Sequence, residues 1–215
     1  CRKALTETEG DFEAAIDWLR KQGQKVAAKR SDREAKEGVV LAKVSADGKR
    51  GFVISVNCET DFVAKGDRFQ ALADELLNHL VASKIANLDD FLNSKLASGK
   101  TVRETIDEGN ATLGEKIEIR RIVVLNGSPV SLYLHKTSPD LPPQVGVLVQ
   151  LKNAAVEAGR DIAQHIAAFA PKYLNRAAVP TDEIEKERRL AEETARNEGK
   201  PEAAISKIIE GRVTG

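Results

Sequence analysis

The chain has 215 residues, with 33 Lys plus Arg against 33 Asp plus Glu, so its formal net charge is zero. Hydrophobic residues make up 41% and charged ones 31%, which supports a packed core spread over one or two domains. The charge balance excludes a broad nucleic-acid footprint and a basic membrane-surface patch, and nothing approaches the ~18 consecutive apolar residues of a membrane span.

The chain holds no Met and opens on Cys1. That start reads as a trimmed chain rather than a lipidated N-terminus. Cys1 and Cys58 are no disulfide framework, and a reduced compartment follows. His79, His135 and His165 share no metal-ligand spacing with a Cys, so no metal is expected.

Residues 1–23 predict helix, turn, helix, with Gly10-Asp11 ending the first and capping the second. Phe12, Ala15, Ile16 and Leu19 give the second helix an apolar stripe, and Lys21-Gln22-Gly23 is expected to end it. Residues 24–37 are charged without apolar periodicity and read as a linker with some helix in it. Residues 38–45 and 52–57 predict a hairpin around Asp47-Gly48. A helix follows on the stripe Phe69, Leu72, Ala73, Leu76 and Leu80. Asn87 and Thr101 read as N-caps, and Thr101 with Glu104 forms a capping box.

Residues 115–125 and 130–135 predict a second hairpin around Asn126-Gly127, and Val145–Leu151 a central strand. Ile162, Ile166 and Phe169 then mark the inner face of a helix stopped by Pro171, with His165 on that face. From Thr181 to Asn197 the chain is dense in charge. Gly199-Lys200-Pro201 supplies a C-cap glycine and a first-turn proline before Glu202–Val213. This end reads as a protruding helical hairpin with a narrow apolar seam. The fold class is therefore α+β, with a core of two related halves.

Motifs for bond chemistry are missing. Ser98-Gly99-Lys100-Thr101 imitates a phosphate loop, but Ser94 stands where the first glycine is required and no strand precedes it, so Lys100 and Thr101 belong to a loop and an N-cap. No dinucleotide glycine pattern, zinc motif or nucleophile elbow occurs. The unusual segment is Asn57-Cys58-Glu59-Thr60-Asp61-Phe62-Val63-Ala64-Lys65. Thr60 or Asp61 can cap a first turn. Two readings of Phe62 stand side by side. Helical spacing to Phe69 makes it core, the commoner outcome; a break at Gly66-Asp67 would leave it on a separate protruding turn, where an aromatic suits a partner pocket. Cys58 reads as a buried thiol, and His135 lies on the polar side of its strand.

The 57–65 segment is similar to the signature of the bacterial-type elongation factor Ts family. The run Gly114-Glu115-Lys116-Ile117-Glu118-Ile119-Arg120-Arg121 carries the same resemblance. So do Tyr133-Leu134-His135, Gly146-Val147-Leu148-Val149, His165-Ile166-Ala167-Ala168 and the stretch from Gly199-Lys200-Pro201 to Glu210-Gly211-Arg212, in order over the whole chain. The resemblance implies a small helical N-terminal domain of the ubiquitin-associated type at 1–31, a linker at 32–37 and a first half-core at 38–127. A second half-core at 128–178, with antiparallel sheets in both halves, and a dimerising helical hairpin at 179–215 complete the expectation.

It also implies a non-enzymatic guanine nucleotide exchange factor without cofactor. Its partner would be elongation factor Tu, GDP-bound and nucleotide-free, with no direct nucleic acid or membrane contact. The location would be a bacterial cytoplasm, with an organelle stroma or matrix left open. The implied partner-binding residues are Thr60, Asp61, Phe62, Val63, Leu113, Gly114, His135, Arg2 and Arg30, with Asp61 and Phe62 intruding near the partner's magnesium and phosphate region. Arg160 and Asp161 depart from the family's pattern, and the family's first helix and final module are expected to be cut away. The rival reading is a non-catalytic adaptor or scaffold with a ubiquitin-associated-type module, which would release no GDP from elongation factor Tu.

Overall fold

The computed structural model describes residues 2–30, 32–152 and 156–214. Cys1, Ser31 and Gly215, where the expected chain start, the end of the first domain and the end of the hairpin fall, lie outside the described residues. Two compact units divide between Phe169 and Ala170, and each is described by itself.

The first unit opens with α1 (Arg2–Glu7) and α2 (Phe12–Lys29). Asp11 Oδ1 accepts from the Ala14 amide at 2.9 Å, the bond that an N-cap Asp makes to a helix's orphaned amides. The helix does not stop at Gly23 as expected but runs on to Lys29, through the segment read as linker. Packing overrides the low helix propensity of glycine here. Gly23 is buried against α6 (Val102–Leu113), and a Cβ placed on it would lie 3.8 Å from the Asp107 carbonyl oxygen.

Next come β1 (Glu37–Val44) and β2 (Arg50–Cys58), antiparallel in the register Glu37↔Cys58 to Val44↔Gly51. Their connection is the expected turn. Gly48 sits at φ +69°, and the Asp47 carboxylate takes the Ser45 hydroxyl and, at 3.1 Å, the Lys49 amide. β3 (Glu118–Asn126) is the third strand of this sheet, in the order β1-β2-β3. This corrects the hairpin expected around Asn126-Gly127. β4 (Val130–His135) pairs instead with β5 (Val145–Gln150) in a separate two-stranded antiparallel sheet. β5 is thus no central strand; among the described residues it pairs only with β4.

The reason lies in β2, which is covered on both faces. Phe52, Ile54, Val56 and Cys58 point into the core under the helices. On the other face, a Cβ on Gly51 would meet Val130 Cγ1 at 2.7 Å, so the second sheet presses directly on the strand. A strand buried on both faces must pair its backbone groups at both edges, and β3 fills the edge that β1 does not.

Helices cover the first sheet. α4 (Asp67–Ser83) lies across β1 and β2, followed by α5 (Leu88–Asn93) and α6. Phe69, Leu76, Leu80, Phe91, Val102 and Ile106 are buried against the strands. Both expected caps are present. Asn87 Oδ1 accepts from the Asp90 amide at 3.1 Å. Thr101 and Glu104 exchange side-chain-to-amide bonds of 2.8 and 3.1 Å. Lys100, in the false phosphate loop, pairs with Glu108 at 2.7 Å.

The second sheet is covered by α7 (Val156–Phe169) through Ala163, Ile166 and Ala167. The expected inner face is wrong by part of a turn. Ile162 and Phe169 are 43% and 72% exposed, and the exposed His165 ring lies 4.4 Å from that of Phe169. Small residues decide the face. A Cβ on Gly159 would fall 2.2 Å from Ser131 Oγ, so only glycine lets the helix come this close to β4.

The second unit holds a 3-10 turn (Arg176–Ala178), then α8 (Thr181–Asn197) and α9 (Glu202–Thr214) folded as a hairpin. Gly199, at φ +69°, ends α8, and the Lys200 amide returns to the Ala195 carbonyl at 3.0 Å. Ala191, Ala195 and Ile205 form the narrow buried seam. Arg196 bridges Glu192 and Glu202 at 2.9 and 3.1 Å, and Arg212 meets Glu187 at 3.3 Å.

The close approach of the two sheets gives a direct test. A Cβ on Gly146 would lie 2.6 Å from Val40 Cγ1, so Gly146→Val should lower the unfolding free energy in urea by about 1–3 kcal/mol, the usual cost of overpacking.

Candidate functional site

The candidate site is built where β2 ends. Thr60 caps α3 (Asp61–Lys65), its hydroxyl accepting from the Val63 amide at 3.4 Å. Gly66, at φ −71° and ψ 135°, leaves the helical conformation and separates α3 from α4. The break settles the two readings of Phe62 against the core. The ring is 83% exposed on a turn of its own. On the opposite side of the turn Ala64 is buried and Val63 packs against the core. Asp61 and Lys65 pair at 2.9 Å along the exposed flank. The hydrogen bond from Lys65 holds the Asp61 carboxyl below its ordinary range, so a fixed negative charge sits beside the ring at neutral pH.

Two carboxylates fasten this turn to the rest of the molecule. Glu115, just after α6, accepts from the Glu59 and Thr60 amides at 3.0 Å each and from the Thr60 hydroxyl at 2.6 Å. In return Glu59 accepts from the Lys116 amide at 2.6 Å. Arg33 braces Glu59 at 3.3 Å. That Lys116 bond, with help from Arg33, draws the Glu59 carboxyl below its ordinary range. Gly114 reverses the chain at the end of α6 at φ +81°, a conformation that favours glycine. Leu113 beside it is half-buried against the core. Asn110 Oδ1 accepts from the Ile117 amide, and its carbonyl accepts from Arg30. Arg30 also reaches the Glu115 carbonyl at 3.4 Å.

Cys58 lies under the turn. Its Sγ donates to the Thr60 carbonyl at 3.2 Å. Burial, and then the nearby Glu115 charge, push the thiol up to about 12. It is a packing residue, as read from the sequence.

Of the residues the family resemblance singles out, the structure brings Thr60, Asp61, Phe62, Val63, Leu113 and Gly114 together, with Arg30 tied in from behind. His135 stands at the end of β4, its Nδ1 3.1 Å from the Tyr133 hydroxyl. Its strand partner Val145 adjoins Gln144, which reaches Glu37 at 3.4 Å, and Glu37 pairs with Cys58. His135 therefore lies at the same end of the layered sheets as α3. Arg2 is exposed on α1. Glu59 and Glu115 lie inside the two family-like runs, and nothing in the sequence assigns them a role. They act across 56 residues of chain, and no local pattern announces such a pairing.

Among the described residues no group of His, Cys, Asp and Glu could hold a metal ion, and no helix is long and apolar enough to cross a membrane. The site offers an exposed aromatic, a paired acid and a rigid base, which is equipment for gripping a protein.

The family model for "Elongation factor TS" matches residues 59–215. The elongation factor Ts of Streptomyces griseus is 53% identical over 215 residues, spanning 100% of this chain and 77% of the relative. That of Acidothermus cellulolyticus is 52% identical with the same coverage of each chain, and that of Paenarthrobacter aurescens 54%.

Two outcomes follow from the site's titrating groups. The folded Glu59 carboxyl lies below its ordinary value of 4.5, so its contribution to stability is complete above about that pH and disappears as the pH falls through the folded value. The gap in urea midpoint between the parent and Glu59→Gln should be widest near neutrality and narrow as the pH is taken below 4.5. In a Cys1→Ser chain, Cys58 should ignore Ellman's reagent at about pH 8 until the protein is unfolded, because the thiolate is the reacting form.

Proposed function

The chain belongs to the elongation factor Ts family, and from that premise we propose that α3 is the element with which it works on its partner. It serves translation elongation as a nucleotide exchange factor, and elongation factor Tu is the partner this family membership supports. The observation that carries the reading is Phe62, a large ring 83% exposed on a capped five-residue helix.

An exchange factor makes and breaks no covalent bond. It binds the nucleotide-free partner more tightly than the GDP-bound one, and by reciprocity it weakens GDP by the same factor. A binder with equal affinity for both states would shift nothing. Phe62 supplies the difference by inserting near the magnesium and phosphate region of the partner, and Asp61 steadies it. Burying a Phe side chain releases about 1.5–3 kcal/mol, enough for a roughly ten- to hundredfold bias. Thr60 and Val63 form the root of the wedge, and Leu113 with Gly114 packs beside it. His135 meets a second region of the partner, from the same end of the sheets. Arg2 and Arg30 complete the contact as cations, with Arg30 also bonded inside the chain.

The finer domain reading belongs to the same proposal. Residues 1–31 form a helical domain of the ubiquitin-associated type, 32–37 a linker, 38–127 and 128–178 the two half-cores, and 179–215 a hairpin through which two copies associate. The protein works in the bacterial cytoplasm without cofactor, nucleic acid or membrane.

Release of fluorescent GDP from elongation factor Tu tests the wedge. Phe62→Ala should slow release about tenfold or more, while its unfolding free energy moves by no more than about 0.5 kcal/mol, as for other exposed positions. Unchanged release, or a stability loss that accounts for all of the slowing, refutes it.

A further inference from the structure

Resting on the wedge reading, we propose that Glu115 is a positioning residue for exchange, holding the first turn of α3 so that Phe62 is presented in one attitude. A five-residue helix cannot hold itself. Its nucleation cost is not recovered over so few hydrogen bonds, and isolated helices shorter than about 12–15 residues are marginal in water. The first amides of any helix also lack internal partners. Here the amides entering α3 are met from outside. Glu115 takes the Glu59 amide, the Thr60 amide and the Thr60 hydroxyl, all at 3.0 Å or less. Thr60 in turn caps the Val63 amide on the far side of Phe62.

Glu115 is itself held. Gly114 turns the chain into it, Arg30 reaches its carbonyl, and the next amide, Lys116, is bonded to Glu59. Glu59 is the residue whose own amide Glu115 accepts. The two loops therefore close a ring of charge-assisted hydrogen bonds at the base of the wedge, a stronger class than neutral pairs. Glu115 itself is not among the residues placed in the partner contact. It acts through Thr60 on the attitude of Phe62, and ordering done in advance does not have to be done during binding.

Insertion follows encounter. Loosening the ring should therefore lower the maximal rate of GDP release and leave the half-saturating concentration of the chain nearly unchanged. The experiment is stopped-flow release of fluorescent GDP from elongation factor Tu against increasing concentrations of the 215-residue chain. It compares the parent, Glu115→Gln, Phe62→Ala and the double variant. Gln keeps the size of Glu but turns an amide group toward amide donors.

We expect Glu115→Gln to cut the maximal rate about tenfold with the half-saturating concentration within about twofold, and to add less than about twofold in the Phe62→Ala background, since residues acting as one unit are non-additive. Slowing by Phe62→Ala with none by Glu115→Gln overturns the positioning role alone. So does an equal effect of Glu115→Gln with and without the Phe62 ring, or a rise confined to the half-saturating concentration. Unchanged release by Phe62→Ala overturns the wedge and the positioning role together. Should Glu115→Gln fail to fold, Glu115→Asp, one methylene short of the amides, is read against the same outcomes.

Discussion

Glu59 and Glu115 each leave their own loop and accept backbone amides of the other. The exchange is available because β2 and β3 run antiparallel with Asn57 opposite Glu118, which sets the exit of one strand beside the entry of the other. Amides at such exits are orphaned by the sheet and would need water. The carboxylates satisfy them directly above the buried Cys58 and Ile117. Register, buried core and exposed turn are thus one constraint. A slip of β3 would part the carboxylates from their amides and leave α3 unsupported.

That register is in turn held by β2, which serves two cores at once. Its even-numbered residues from Phe52 to Cys58 pack under the helices, and its odd-numbered face meets the second sheet at Gly51. The irregularity between Ser55 and Val56, where the partner shifts from Arg121 to Ile119, lets β3 keep Ile119, Ile122 and Val124 inward on both sides of the break. Arg120, left over by the shift, turns its guanidinium to the Ala35 carbonyl and ties down the chain entering β1. The second sheet comes close because Gly51 and Gly146 carry no side chain at the contact. His135 is brought to the same end as α3 by this stacking and by no feature of its own strand.

The readings that held were local. Thr101 with Glu104, Asn87, Asp47-Gly48 and the stripe from Phe69 to Leu80 each involve residues within a turn or two of one another, and backbone chemistry decides them whatever surrounds them. The readings that failed needed distant information. Gly23 looked like a helix stop because its contact with α6 lies far along the chain. β3 and β4 looked like a hairpin because Asn126-Gly127 is a good turn, yet the turn passes the chain from one sheet to the other. On α7 the size of Ile162 and Phe169 points to them as the inner face, while Gly159, Ala163 and Ala167 allow the closer approach.

The residues in order are enough for the family, through the run from Asn57 to Lys65 and the motifs after it, and for the α+β class, the caps and the position of an unusual segment between a strand and a helix. Spacing alone leaves Phe62 between core and anchor, because it is equally regular whether or not Gly66 interrupts the helix, and the family resemblance is what points to the anchor. The exposure of the ring comes from long-range packing. Gly66 departs from helical angles, Ala64 takes the buried place on the turn, and Glu115 reaches across from the end of α6 to hold it. Periodicity records which residues can share a face; which face is covered depends on surfaces the chain supplies elsewhere.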